Sequence, residues 1–276
     1  MLKIGNYNTL KVVKEVDFGL YLESGKGEIL IPSKYVPQNT RIGDELEVFV
    51  YTDSEDRLIA TTLSPIAVVG EFAAMTVKDV TDFGAFLDWG IQKDLLVPNN
   101  EQHRKLYKGQ KTVVRVCLDP RTDRVVGVGK LGPFLSKDTS ELEEKQEVSL
   151  LIYEETDLGY MAIIDNQYAG MLYRNEVFEP LEVGDTRLGY IRKIREDGKI
   201  DLRLNKEGVA AIVDGKDIVL NKLKSEGGFL PYHDKTDADV IKEVFQISKK
   251  TFKKAIGGLY RDGSIVLLEN GIKLNR

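Results

Sequence analysis

Phe83 and Phe86 stand three residues apart around a glycine, in the stretch Val80-Thr81-Asp82-Phe83-Gly84-Ala85-Phe86. The chemistry open to such a pair is stacking. Two exposed rings beside a cation hold a nucleobase, at about 1–3 kcal/mol per stacked base. Along a regular strand this spacing would put the rings on opposite faces. A bulge at Gly84 is therefore expected to bring them together. The competing reading is that one or both rings fill a core, where phenylalanine is often found. Trp89 follows on the same segment. It either extends the stacking surface or caps the end of the fold that carries it.

The pattern recurs twice. Val16-Asp17-Phe18-Gly19-Leu20-Tyr21 precedes it and Thr156-Asp157-Leu158-Gly159-Tyr160 follows it. Turns come after each, at Gly43-Asp44, Gly109-Gln110 and Gly184-Asp185. Gly19 and Gly84 are 65 residues apart, Gly84 and Gly159 are 75 apart, and the turns are offset by 66 and 75. Two landmarks moving together mean tandem domains.

The elements that must position these rings read as short strands. In the first segment apolar and polar residues alternate through Leu10, Val12, Leu20 and Leu22, with breaks at Gly25-Lys26-Gly27, Pro37 and Gly43. Further strands are expected at 45–51 and 58–62. The second segment repeats the order with strands at 68–76, 84–87, 111–118 and 125–128, and the third at 148–153, 159–164, 168–173 and 199–204. Five strands around a turn-rich middle predict a five-stranded Greek-key OB barrel. The expected fold class is mainly β: barrels over residues 1–64, 65–137 and a divergent 138–207, then a winged helix-turn-helix over 208–276. The acidic stretch 138–147 reads as a linker or exposed turn.

The tail changes period. Ile218, Leu220 and Leu223 predict a short helix ending near Gly227-Gly228. Thr236-Asp237-Ala238-Asp239 reads as a capping box opening a helix with Ile241, Val244 and Phe245 on one face. Ser248 is placed to cap a third helix, with Phe252, Ala255, Ile256 and Leu259 at core spacing. Asn270-Gly271 then marks a hairpin. Opposite the core positions of the third helix lie Lys250, Lys253, Lys254, Gly257 and Arg261. Four cations and a glycine suit a phosphate backbone; they also suit a plain solvated face. No Asn, Gln or Arg falls between Lys249 and Lys254 for bidentate base readout. The two-residue wing is short for a minor groove, so non-specific backbone contact is expected rather than operator recognition.

The segments resemble the S-one RNA-binding domain, a repeat of a ribosomal small-subunit protein and of several ribonucleases. The resemblance is carried by Asp82-Phe83-Gly84-Ala85-Phe86-Leu87, Leu95-Leu96-Val97-Pro98, Lys108-Gly109-Gln110 and Asp119 with Asp123-Arg124. It implies base stacking on Phe83 and Phe86, with Asp119 and Arg124 as an acidic–basic pair. In the first repeat it implies the same of Phe18 and Tyr21, with Asp53 and Arg57. The family's histidine slot holds Pro32 and Pro98 here. In the third repeat Leu158 and Met161 replace the aromatics, Tyr173 takes the histidine slot and Lys199 the basic one. That repeat either binds a base through Tyr173 or is a spacer. The ordered set, together with the opening Gly5-Asn6-Tyr7-Asn8-Thr9-Leu10 and the run Ser248-Lys249-Lys250-Thr251-Phe252-Lys253-Lys254-Ala255-Ile256-Gly257, is similar to the conserved virulence factor B family of bacterial regulators. That implies RNA binding with regulatory influence and no catalysis.

Composition sets the outer bounds. The 276 residues carry a net charge of −5, unevenly spread. From Lys216 to Arg276 there are 12 Lys and Arg against 8 Asp and Glu, so the tail is +4 and the remainder −9. An acidic body predicts salt-sensitive binding through local patches. No apolar run approaches the ~18 residues of a membrane span, and the N-terminus lacks the apolar segment of a signal peptide. A single cysteine, Cys117, forms no intramolecular disulfide and reads as a small strand residue, which fits a reducing cytoplasm. His103 and His233 are far apart and lack metal-ligand spacing. No phosphate-loop or dinucleotide fingerprint is present, and no cofactor is expected. The expected function is non-catalytic binding of single-stranded RNA. The alternatives are a duplex-DNA regulator acting through the winged helix, and a scaffold on the ribosome or RNA polymerase.

Overall fold

The computed structural model describes residues 2–25, 27–177, 180–204 and 209–275, with side chains described for all of these except 209–214. The expected boundary between residues 207 and 208 lies outside them. The chain divides into two compact units, residues 1–135 and 136–276.

The first unit holds two closed five-stranded barrels. Barrel 1 is built from β1 (Asn6–Val16), β2 (Gly19–Glu23), β3 (Glu28–Pro32), β4 (Glu45–Thr52) and β5 (Leu58–Thr61), ordered β1-β2-β3-β5-β4. Barrel 2 repeats it with β6 (Phe72–Thr81), β7 (Gly84–Leu87), β8 (Leu95–Pro98), β9 (Lys111–Leu118) and β10 (Val125–Val128). β6 begins at Phe72 rather than near residue 68, because Gly70 (φ +101°) closes a turn in which Glu71 N–H donates to the Val68 carbonyl.

A hydrophobic cluster joins the two barrels. Phe49 and Tyr51 of β4 pack edge-on against Trp89, with ring centroids 5.3 and 6.4 Å away. Trp89 is 1% exposed and its indole N–H donates to the Ala67 carbonyl at 2.8 Å. It therefore neither extends a stacking surface nor caps one barrel; it seals the seam between two. The Lys93 ammonium reinforces the seam by donating to the Thr52 and Asp53 carbonyls.

The second unit contains barrel 3 and the C-terminal domain. Barrel 3 comprises β11 (Glu147–Thr156), β12 (Gly159–Ile164), β13 (Tyr168–Tyr173), β14 (Thr186–Ile194) and β15 (Ile200–Arg203), with the same strand order. The acidic stretch before β11 is not a free linker. Leu142 is buried in the barrel core, and Lys145 N–H donates to the Ile191 carbonyl.

The C-terminal domain has α1 (Val209–Ser225), β16 (Phe229–Leu230), α2 (Ala238–Phe245), α3 (Lys249–Arg261), β17 (Ile265–Leu268) and β18 (Gly271–Leu274), its strands ordered β16-β18-β17. α1 is longer than the short helix expected from its apolar spacing. Asp237, not Thr236, is the N-cap of α2, accepting from Asp239 N–H; the Thr236 hydroxyl instead accepts from His233 N–H. Ser248 caps α3 by accepting from Thr251 N–H. Phe252, Ala255, Ile256 and Leu259 are buried as their spacing requires.

Candidate nucleic-acid interface

In barrel 2 the two rings do meet on one surface, at 5.8 Å and 90°. The cause is not a bulge at Gly84. Phe83 sits in the two-residue turn between β6 and β7, so strand alternation does not govern it, while Phe86 lies on β7. Phe83 is 61% exposed and Phe86 half-buried. Gly84 serves the fold: a Cβ there would stand 2.5 Å from the Val97 carbonyl oxygen of β8. The bulge lies instead on β6, between Val77 and Asp79.

Barrel 1 builds the same surface. Phe18, 58% exposed, occupies the β1–β2 turn and meets Tyr21 at 6.5 Å and 81°. Lys14 holds its ammonium 5.5 Å from the centre of the Tyr21 ring. A cation over a ring is itself attractive, and here it stands beside an aromatic pair.

Strand pairing sets what lies alongside. Tyr21 is opposite Leu30, and Leu30 opposite Ile59. Phe86, Leu96 and Val126 form the corresponding row in barrel 2. Arg57 and Arg124 each stand immediately before the last strand, in the loop that leads into it. Arg57 is held by Asp53 through two hydrogen bonds of 2.9 and 2.7 Å, with Glu55 at 2.9 Å. Slight burial of the Asp53 carboxyl raises its pKa, but hydrogen bonds from Arg57 overcome this and lower it. Arg124 does not pair with Asp119, which instead accepts from the Arg121 N–H and Thr122 hydroxyl of its own turn. Arg124 reaches across to Asp56 of barrel 1 with both guanidinium arms, and that contact lowers the Asp56 pKa.

Barrel 3 departs from this plan. Leu158, 66% exposed, fills the first aromatic slot. The cross-strand row is Met161, Met171 and Asp201. Tyr173 pairs with Gly159, as Pro32 pairs with Gly19 and Pro98 with Gly84. Its hydroxyl accepts from Arg195, which pairs with Asp201 at 2.9 Å. Lys199 folds back onto Asp197 at 2.8 Å. The structure thus gathers Tyr173 with Arg195 and Asp201, two residues that the repeat pattern did not mark, and leaves Lys199 outside. Arg195 occupies the slot of Asp53, and the acidic partner has moved onto β15.

On α3, Lys250, Lys253, Lys254 and Arg261 are exposed and Gly257 is half-exposed. The helix contains five cations and no carboxylate. Arg261 Nε donates to the Gly257 carbonyl at 3.3 Å. Tyr260 is also exposed on this side, three residues beyond Gly257. Sequence reasoning passed it over, although an aromatic on the face that carries Gly257 and Arg261 was a visible signal.

Comparison with known proteins identifies parts of this architecture. A family model described as S1 domain matches residues 4–63 and 69–121, and one described as CvfB-like winged helix domain matches residues 217–274. A Bacillus subtilis protein, the uncharacterized YitL, is 31% identical, covering 98% of this chain and 93% of its own length. Conserved virulence factor B of Staphylococcus epidermidis is 24% identical over 83% of this chain and 79% of its own. A crystal structure of a Streptococcus pneumoniae multidomain protein with nucleic acid binding domains aligns with a TM-score of 0.48 at 24% identity, covering 98% of both chains. With tandem S1 barrels, a matching winged helix and relatives of near-equal length, the chain belongs to the conserved virulence factor B family.

Proposed function

We propose that this protein is a non-catalytic, cytoplasmic regulator that binds single-stranded RNA by stacking bases on the aromatic pairs of barrels 1 and 2. The observation that carries this reading is the repetition of one surface: an exposed ring in a turn and a second ring edge-on to it, in two successive barrels. Its S1 and winged-helix domains support nucleic-acid binding. Phe18 with Tyr21 and Phe83 with Phe86 are the stacking pairs. Arg57 and Arg124 accompany these pairs, Tyr173 offers a ring of its own in barrel 3, and Lys250, Lys253, Lys254, Gly257 and Arg261 add a basic face in the C-terminal domain. Because Arg57 and Arg124 are already held by carboxylates, stacking outweighs phosphate contact on the barrels. The shared core fixes barrel 1 to barrel 2, so a second contact on one strand is intramolecular.

The basic face of α3 favours a second reading, a duplex-DNA binder. The discriminating experiment measures binding of a labelled single-stranded RNA and a labelled duplex DNA to wild type and Lys253→Glu. Preference for RNA with a modest effect of Lys253→Glu is expected. Preference for duplex, abolished by Lys253→Glu, overturns the reading.

A further inference from the structure

The loop between β8 and β9 of barrel 2 closes differently from the matching loops of its sister barrels. Arg104, Lys105, Lys108 and Lys111 are all exposed, and no Asp or Glu lies between Gln102 and Lys111. Tyr107 is 61% exposed, with the Lys105 ammonium 5.8 Å from its ring centre. The loop is nevertheless held firmly. Leu106 is buried in the core, and its N–H donates to Gln102 Oε1 at 3.2 Å. Tyr107 N–H donates to Gln110 Oε1 at 3.1 Å, and Gly109 N–H donates to the Val77 carbonyl.

The other two barrels serve as internal controls. In barrel 1 the equivalent N–H belongs to Arg41 and is accepted by Asp44; in barrel 3 it belongs to Glu182 and is accepted by Asp185. The turn is the same in all three. Only barrel 2 closes it with a neutral amide rather than a carboxylate, and only barrel 2 places an aromatic at its head. The fold does not require either change, since an aspartate performs the backbone task twice. Removing a negative charge and adding a stacking ring both favour a polyanion with exposed bases.

The loop also starts at the stacking pair. Asn99 N–H donates to the Phe83 carbonyl at 3.1 Å, and the Asn99 amide donates to the Asp82 carbonyl at 2.6 Å. Eight residue steps run from Asn99 to Tyr107, a path of at most ~29 Å, which a single strand of the ~4–16 nucleotides engaged by one OB fold has the length to follow.

We propose that this loop is a second contact site for the same single strand of RNA: a base stacks on Tyr107, and Arg104, Lys105 and Lys108 neutralise its flanking phosphates. The proposal rests on the reading of Phe83 and Phe86 as the primary stacking pair.

The test uses the full chain with labelled oligouridine of about four and about sixteen nucleotides. The variants are Tyr107→Ala, Gln110→Asp, Arg104→Gln/Lys105→Gln/Lys108→Gln and Phe83→Ala/Phe86→Ala. Tyr107 and the cations are exposed, and Asp already closes this turn elsewhere, so unchanged thermal unfolding is expected for the loop variants. On the long RNA, Tyr107→Ala is expected to lose about tenfold or more in affinity, and Gln110→Asp a smaller amount. The triple variant is expected to flatten the log K against log salt slope by about 2, at ~0.7 per phosphate lost. The short RNA is expected to lose less in every loop variant. Loop variants that bind the long RNA like wild type, while Phe83→Ala/Phe86→Ala does not, overturn the loop site and leave the stacking pair standing. Loss in the loop variants with none in Phe83→Ala/Phe86→Ala supports the loop site and overturns the pair. Absence of RNA binding by wild type overturns both.

Discussion

Two adjacent glycines in α3 illustrate how a residue's cost reveals its use. At Gly258 a Cβ would meet the flexible end of the Lys216 side chain of α1 at 2.2 Å, so a larger residue has to push aside the lysine that pairs with Asp262. At Gly257 a Cβ would meet nothing within 4 Å. A glycine inside a helix costs about 0.8–1.0 kcal/mol relative to alanine, and nothing in the domain offsets it. Close approach of a ligand backbone would. Gly257→Ala is therefore expected to raise the stability of the C-terminal domain by up to about 1 kcal/mol in urea unfolding while weakening RNA binding severalfold. A gain in stability with unchanged binding would refute that role. At this scale the sequence was read well where a residue's neighbours are local and poorly where they are distant. The lysines of α3 face solvent as their period requires. The family resemblance paired Arg124 with Asp119, yet its geometry takes it to Asp56 in another barrel. Trp89 gave no hint of its partners, Phe49 and Tyr51, because they lie some forty residues away in the preceding repeat.

At the scale of elements, the turn glycine of each repeat is tied to the first strand that leads into its aromatic–Gly step. Each barrel's first strand has a register shift, between Val12 and Lys14, Val77 and Asp79, and Ile152 and Glu154. The turn glycine seals it each time: Gly43 donates to Val12, Gly109 to Val77 and Gly184 to Ile152, and the same three residues donate back to Asp44, Gln110 and Asp185. This is why the spacings move together, and why barrel topology was legible from glycines and alternation. The bulge itself was misplaced to Gly84, since a register shift depends on the partner strand. The strands also carry phenols inward. Burial, with smaller contributions from Tyr35 and Asp53, pushes the Tyr51 hydroxyl of β4 up to about 12; burial, then Glu154, does the same for Tyr153 of β11. An unfolded tyrosine ionises near ~10. The folded protein thus favours the neutral phenols, and their contribution to stability is complete below ~10 and lost as pH rises through about 12. Phenolate absorbance during alkaline titration is expected to show a late fraction that shrinks in Tyr51→Phe/Tyr153→Phe. Ionisation of every tyrosine near pH 10 with the barrels intact would contradict the burial.

At the scale of the molecule, the fused pair of barrels is the part that sequence reasoning could not supply. The period announced separate domains; the side chains of Phe49, Tyr51 and Trp89 make the first two share a core. Trp89 is the protein's sole tryptophan, so its fluorescence reports on that seam. Phe49→Ala, a substitution in barrel 1, is expected to shift the emission of Trp89 in barrel 2 to longer wavelength and to lower the stability of the unit by about 3–5 kcal/mol. An unshifted spectrum would argue against the shared core. The central claim concerns what that rigid pair holds. The most direct test is fluorescence anisotropy of a labelled single-stranded RNA at two salt concentrations, with wild type and Phe83→Ala/Phe86→Ala. A loss of about 2 kcal/mol or more in the double variant, with wild-type affinity falling as salt rises, is the predicted result. A double variant that binds RNA as tightly as wild type would contradict it.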